Sequence, residues 1–125
     1  MRAPQPVSKA QLKAKETLRI VLARLDDMKA EDIVTINLAG KSSIAHFMVV
    51  ASGRSNRHVA SVAEQVIKDL GQAHIARVRA EGLRQGDWVL IDAGDVVVHI
   101  FRPEVRDFYA LEKMWSGART QRPDA

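Results

Sequence analysis

The stretch WVLIDAGDVVVHIF, residues 88–101, places two runs of β-branched, aliphatic and aromatic residues on either side of Ala93-Gly94. Such runs around a short glycine-containing break predict a β-hairpin. With a two-residue loop at Ala93-Gly94 the register follows from loop length: Asp92 faces Asp95, Ile91 faces Val96, Leu90 faces Val97, Val89 faces Val98 and Trp88 faces His99. Side chains alternate along a strand. One face of the ribbon therefore carries Val89, Ile91, Val96, Val98 and Ile100, a core face. The other carries Trp88, Leu90, Asp92, Asp95, Val97, His99 and Phe101. That mixture of aromatic, aliphatic and charged groups is more typical of a recognition surface than of an interior.

The hairpin is one part of an α/β order. Upstream, Leu18, Val21, Leu22, Leu25 and Met28 recur at helical spacing and predict a helix over about 8–28, with Lys15, Arg19 and Arg24 off its apolar face. Val34, Ile36 and Leu38 alternate with Thr35 and Asn37, the rhythm of a half-buried strand over 32–38, and Ala39 to Ser42 supply a turn. Residues 46–51 are almost wholly apolar, as in an interior strand. Ser55 is placed as the N-cap of the next helix, whose stripe Val59, Val62, Ala63, Val66, Ile67 and Leu70 ends at Gly71. A short strand is expected at 75–79. Pro103 suits the first turn of a last helix reaching about Trp115, with Gly117 as its stop. The expected order is α, β, β, α, β, β, β, α: a single α/β domain with a mixed sheet of about five strands packed with helices. Residues 1–7 and 117–125 read as flexible tails flanking a domain over 8–116.

Composition narrows the function. The 125 residues suit one domain, and 46% hydrophobic with 27% charged residues suit a globular chain. No cysteine is present, so thiolate chemistry, thiolate metal sites and disulfides are excluded. The net charge of +4 favours polyanionic surroundings and equally suits plain solubility. The opening MRAPQPVSKAQ lacks the apolar core of a secretory signal, and no run approaches the length of a membrane span, so a cytoplasmic protein is expected. Catalytic patterns are thin. Asp92 and Asp95 lack a convincing third carboxylate for a magnesium-dependent nucleotidyl-transfer centre. The loop SGRSN (residues 52–56) could hold an anion but lacks a P-loop pattern, GxSxG is absent, and His46, His58, His74 and His99 lack metal-ligand spacing. His99 alone reads more readily as a packed histidine than as a catalyst. An Asp92–Asp95 pair would repel and call for an offsetting cation, although aspartate at a hairpin turn also serves local hydrogen bonding.

Taken in order, IVTINLAGKSS (33–43), SGRSNRHV (52–59), Glu81-Gly82, the hairpin itself and the pattern Arg106, Tyr109, Leu111, Glu112, Trp115 resemble the ribosomal silencing factor (Iojap-like) family over about residues 18–115. The resemblance implies a fold related to nucleotidyltransferases without their full acidic set, and no cofactor, metal or catalysis. It further implies binding to the large ribosomal subunit through ribosomal protein L-fourteen, near rRNA. The bound factor would block joining of the small subunit and repress translation. Homodimers are often seen in the family. Ala45-His46 stands where the family usually has an acidic residue. The expected partner-binding residues are Trp88, Asp92, Asp95 and His99 on the hairpin, with Tyr109 and Glu112 on the last helix. A nucleotidyltransferase-like enzyme or nucleotide-binding domain is the alternative.

Overall fold

A computed structural model of the chain describes residues 9–38, 45–75 and 77–105. Helix α1 (Lys9–Asp27) is followed by strands β1 (Glu31–Asn37) and β2 (Phe47–Ser52), helix α2 (Asn56–Gln72), and strands β3 (Arg79–Glu81), β4 (Trp88–Asp92) and β5 (Val96–Phe101). The five strands form one mixed sheet in the order β1-β2-β5-β4-β3. Strand β2 runs parallel to β5, and the other three pairings are antiparallel. The apolar β2 thus lies inside the sheet, as its composition predicts.

Both helices cover one side of the sheet because their apolar stripes have nowhere else to go. Ala14, Val21 and Leu25 of α1 are buried, with Leu18, Leu22 and Met28 packed partly against the same core. Val59, Val62, Ala63, Val66 and Leu70 of α2 are buried with them, against Val49, Ala51, Val89, Ile91, Val96, Val98 and Ile100 of the sheet. The hairpin's expected core face is therefore its helix-covered face. Arg24, off the α1 stripe, reaches across to α2, where its Nε and Nη2 donate to the two carboxylate oxygens of Asp69 at 2.7 and 3.1 Å. This fork-on-fork contact holds the guanidinium pKa above its ordinary value.

Helix ends follow local chemistry. Ser55 caps α2, its hydroxyl accepting from His58 N–H at 3.0 Å. At the other end Gly71 lies within the helix, which continues to Gln72. The chain turns at His74 (φ 62), with Ile75 N–H donating to Leu70 O and His74 N–H to Gly71 O. This is a Schellman closure with a non-glycine residue in the left-handed position. Helix α1 ends the same way at Lys29 (φ 63), through Ala30 N–H to Leu25 O and Lys29 N–H to Asp26 O.

Two strand assignments change. The strand expected at 75–79 lies at Arg79–Glu81, because Arg77 is left-handed (φ 62) and breaks the extended backbone that Ile75 and Val78 would otherwise share. The hairpin register also shifts. Trp88 is opposite Phe101, Val89 opposite Ile100, Leu90 opposite His99, Ile91 opposite Val98, and Asp92 opposite Val97. The two loop residues are Gly94 and Asp95 rather than Ala93 and Gly94, since Ala93 N–H bonds to Val96 O at 2.9 Å. Asp92 Oδ1 accepts from Gly94 N–H at 2.9 Å, and Gly94 (φ 82) takes the first loop position, where a type II′ connection calls for glycine. A one-residue shift of the loop moves the register by two. The faces are unchanged, because side chains repeat every two residues. Residues 103–105 open a helical turn; the remainder of the predicted last helix, both expected tails and the expected turn at 39–42 lie outside the described residues.

Candidate functional site

The sheet face turned away from α1 and α2 gathers Trp88, His99 and Phe101 into an aromatic cluster. The Trp88 and Phe101 rings stack with centroids 5.0 Å apart, and His99 stacks on Phe101 at 5.9 Å. Trp88 and His99 are diagonal neighbours rather than opposite ones, and Trp88 Nε1–H donates to His99 Nδ1 at 3.0 Å. The close approach of Trp88 to His99 is thus present, although its register basis is not the expected one. Around the cluster lie Val50 and Phe101, fully buried, and Ile36, Leu38, Ala45 and Met48, nearly so, with Val34, Trp88 and Val97 packed partly against them. The expectation of an open mixed face needs correction here. Its centre is a second hydrophobic cluster, and its half-exposed residues are Trp88, Leu90, Asp92, Asp95 and Val97.

His99 is 7% exposed, and burial lowers its pKa from 6.5 to about 4. The indole bond works in the same direction. It needs a lone pair on Nδ1, so the ring holds its single proton on Nε2, and a second proton on Nδ1 would face the Trp88 N–H. His99 is a packed, neutral, hydrogen-bonded imidazole.

The carboxylates sit at the margin. Asp92 does not face Asp95 but Val97, and on its other side faces Arg79 of β3. Repulsion within an opposed aspartate pair is therefore absent, and Asp92 does the local turn work described above. Asp95 ties the hairpin tip to the start of β2: its carbonyl accepts from His46 N–H at 2.8 Å and from Phe47 N–H at 3.2 Å. Its carboxylate lies 3.6 Å from His46 Nδ1, beyond hydrogen-bond range but within reach of an ion pair with a protonated ring. His46 thus stands beside an acid of the hairpin. Tyr109 and Glu112 lie outside the described residues.

Two groups here, quoted above only as the Glu81-Gly82 pair of the family pattern, were not among the expected partner-binding residues. Glu81, exposed, lies directly opposite Leu90. Gly82 (φ 89) passes so close to β4 that a Cβ there would lie 2.1 Å from Trp88 O. Glu81, Gly82, Trp88 and Leu90 bound a recess of about 260 Å³. The signal for Glu81 was its alternation parity with Arg79, which is readable only once β3 is placed at 79–81.

Elsewhere, the SGRSN loop is bound into the structure. His58 Nδ1 accepts from Arg54 N–H at 3.0 Å, and its Nε2 lies 2.8 Å from Met28 O. Asn56 Nδ2 donates to Gln85 O at 2.7 Å and to Asp87 Oδ1 at 3.0 Å, and Asp87 also meets Arg102 Nε at 3.0 Å. Among the described residues no group of three or more His, Asp or Glu side chains comes together as a metal site, and no helix is long and apolar enough to cross a membrane.

These features define a small α/β domain with a two-helix layer on one side of a mixed five-stranded sheet and, on the other, an aromatic cluster with an acidic margin. The particular family follows from comparison: residues 11–125 match the model of RsfS, ribosomal silencing factor during starvation, and the chain belongs to that family. It is 53% identical over 98 residues to the ribosomal silencing factor RsfS of Zymomonas mobilis, covering 78% of this chain and 74% of the relative. A crystal structure of a protein from Chromobacterium violaceum superposes with a TM-score of 0.80 at 40% identity, covering 89% of this chain and 90% of the other. A mouse protein named mitochondrial assembly of ribosomal large subunit protein 1 is 30% identical over 115 residues, 90% of this chain but 50% of that relative.

Proposed function

We propose that this chain represses translation in the cytoplasm by binding the large ribosomal subunit through ribosomal protein L-fourteen, where it sterically blocks joining of the small subunit. It acts by binding rather than by catalysis. Family membership supports the ribosomal setting, and the mouse relative's name supports the large subunit. The observation that carries the protein-contact part is the charge distribution. On a chain of net charge +4, the far face of β3 and the β4–β5 hairpin carries Glu81, Asp92 and Asp95 against Arg79, a local excess of carboxylates on the face that also carries half-buried Trp88. Ribosomal proteins are rich in Lys and Arg because they neutralise RNA phosphate, so an acidic margin around an aromatic anchor complements one of them and repels bare RNA.

The test is sedimentation of purified chain with isolated subunits, beside a nucleotide-binding assay with magnesium. The chain is expected to pellet with free large subunits and not with free small ones, and to lower the yield of joined ribosomes. Asp95→Lys is the informative variant, because among the described residues the Asp95 carboxylate meets only His46, at 3.6 Å, and lies outside the buried core. It is expected to weaken large-subunit binding at least tenfold while circular dichroism and melting stay near wild type. Equal binding to both subunits, or nucleotide binding without subunit binding, would reject the proposal. The homodimer implied by the resemblance belongs to the same proposal and is checked by the solution mass of the free chain.

A further inference from the structure

The recess beside β3 combines three properties seldom found together on a basic chain. Its wall is apolar and aromatic, from Leu90 and Trp88. Its rim carries the exposed carboxylate of Glu81, which has no hydrogen bond or ion pair among the described residues, whereas the neighbouring Arg79 lies across from Asp92. Gly82 completes its lining, its backbone held so close to β4 that a Cβ there would lie 2.1 Å from Trp88 O. At about 260 Å³ it is smaller than a typical small-molecule site, roughly 300–1,000 Å³, and of the size of one long side chain.

We propose that this recess receives a single arginine or lysine side chain from the protein partner, with the methylenes along Leu90 and Trp88 and the cationic head at Glu81. The chemistry of such a side chain matches each part. Its stem is apolar and seeks an apolar wall while its head stays at the polar rim. The indole ring attracts a cation, and a carboxylate at the edge of a contact that excludes water gains more from that cation than it would in bulk solvent. Glu81 at the rim and Asp92, two residues beyond Leu90 on β4, repel a phosphate backbone, so a basic protein rather than RNA is the source. The inference rests on the large-subunit reading above and adds a specific contact to it.

Glu81→Gln and Glu81→Lys in the full chain test this, with Arg79→Gln as a neighbouring charge change outside the recess. Folding is checked by circular dichroism and melting, large-subunit affinity by sedimentation, and affinity for purified ribosomal protein L-fourteen by calorimetry. Glu81 is exposed, so both substitutions are expected to fold. Glu81→Gln is expected to weaken both affinities about tenfold and Glu81→Lys about a hundredfold, with Arg79→Gln within about threefold of wild type. Wild type binding the large subunit while Glu81→Lys binds equally well overturns the recess assignment and leaves the ribosomal function standing. Wild type failing to bind large subunits overturns both. A loss on Glu81→Lys accompanied by dissociation of the free chain into a smaller species assigns the recess to a second copy and overturns the proposal.

Discussion

Acidification to pH 5 is expected to destabilise this fold through His99, by an amount the structure sets. The ring is buried and neutral, with its pKa at about 4 rather than 6.5. Between these two values the unfolded chain binds a proton that the folded chain does not, so stability rises with pH across that window. The stabilisation relative to the protonated unfolded state is complete above about pH 6.5 and is progressively lost as pH falls toward 4. The shift corresponds to about 3 kcal/mol over the full window and about 2 kcal/mol between pH 7 and pH 5. That is a large part of the 5–15 kcal/mol that typically holds a domain together. The measurement is urea unfolding at pH 7, 6 and 5 for wild type and for His99→Gln. Glutamine can still accept from Trp88 N–H but does not titrate. Contributions from all other groups cancel in the difference between the two proteins. Wild type should lose about 2 kcal/mol more than His99→Gln between pH 7 and pH 5. Parallel loss in both would refute the assignment of a buried neutral imidazole. Trp88 offers a second readout: its fluorescence should change with the same midpoint, because protonation of Nδ1 removes the acceptor of the indole bond.

Two stability predictions concern backbone conformation. His74→Gly should raise stability by about 1 kcal/mol, seen as a Tm increase of a few degrees, because glycine removes the cost of a left-handed side-chain-bearing residue at the end of α2. Gly82→Ala should lower stability by more than about 2 kcal/mol, since its Cβ would overlap Trp88 O in a backbone conformation already unfavourable for alanine; a near-neutral effect in urea unfolding would show that β3 does not lie where described.

Local interactions were legible because they are written within a few residues of each other. The stripes of α1 and α2 needed only the 3.6-residue period, and the Ser55 cap needed only a side chain three positions before the amide it accepts. The two faces of the hairpin were legible for a similar reason: alternation survives an even shift, so Val89, Ile91, Val96, Val98 and Ile100 face the helices in either register. What tertiary structure decided was long-range. The bonds from His46 and Phe47 to Asp95 O set where β2 begins beside β5, whereas the choice of loop residues was local and was missed: Asp92 Oδ1 caps Gly94 only two positions on. Parallel pairing of β2 with β5 joins segments separated by α2, β3 and β4, and no local pattern encodes it. That pairing brings Met48 and Val50 alongside Val97 and His99 and turns a mixed-looking hairpin face into a buried cluster with an acidic margin. Composition of one ribbon cannot reveal this, since burial depends on which strand the sheet lays beside it. The chain's own residues determined which side chains share a face, because the period of a strand is local; the sheet determined which of them meet a partner and which meet each other.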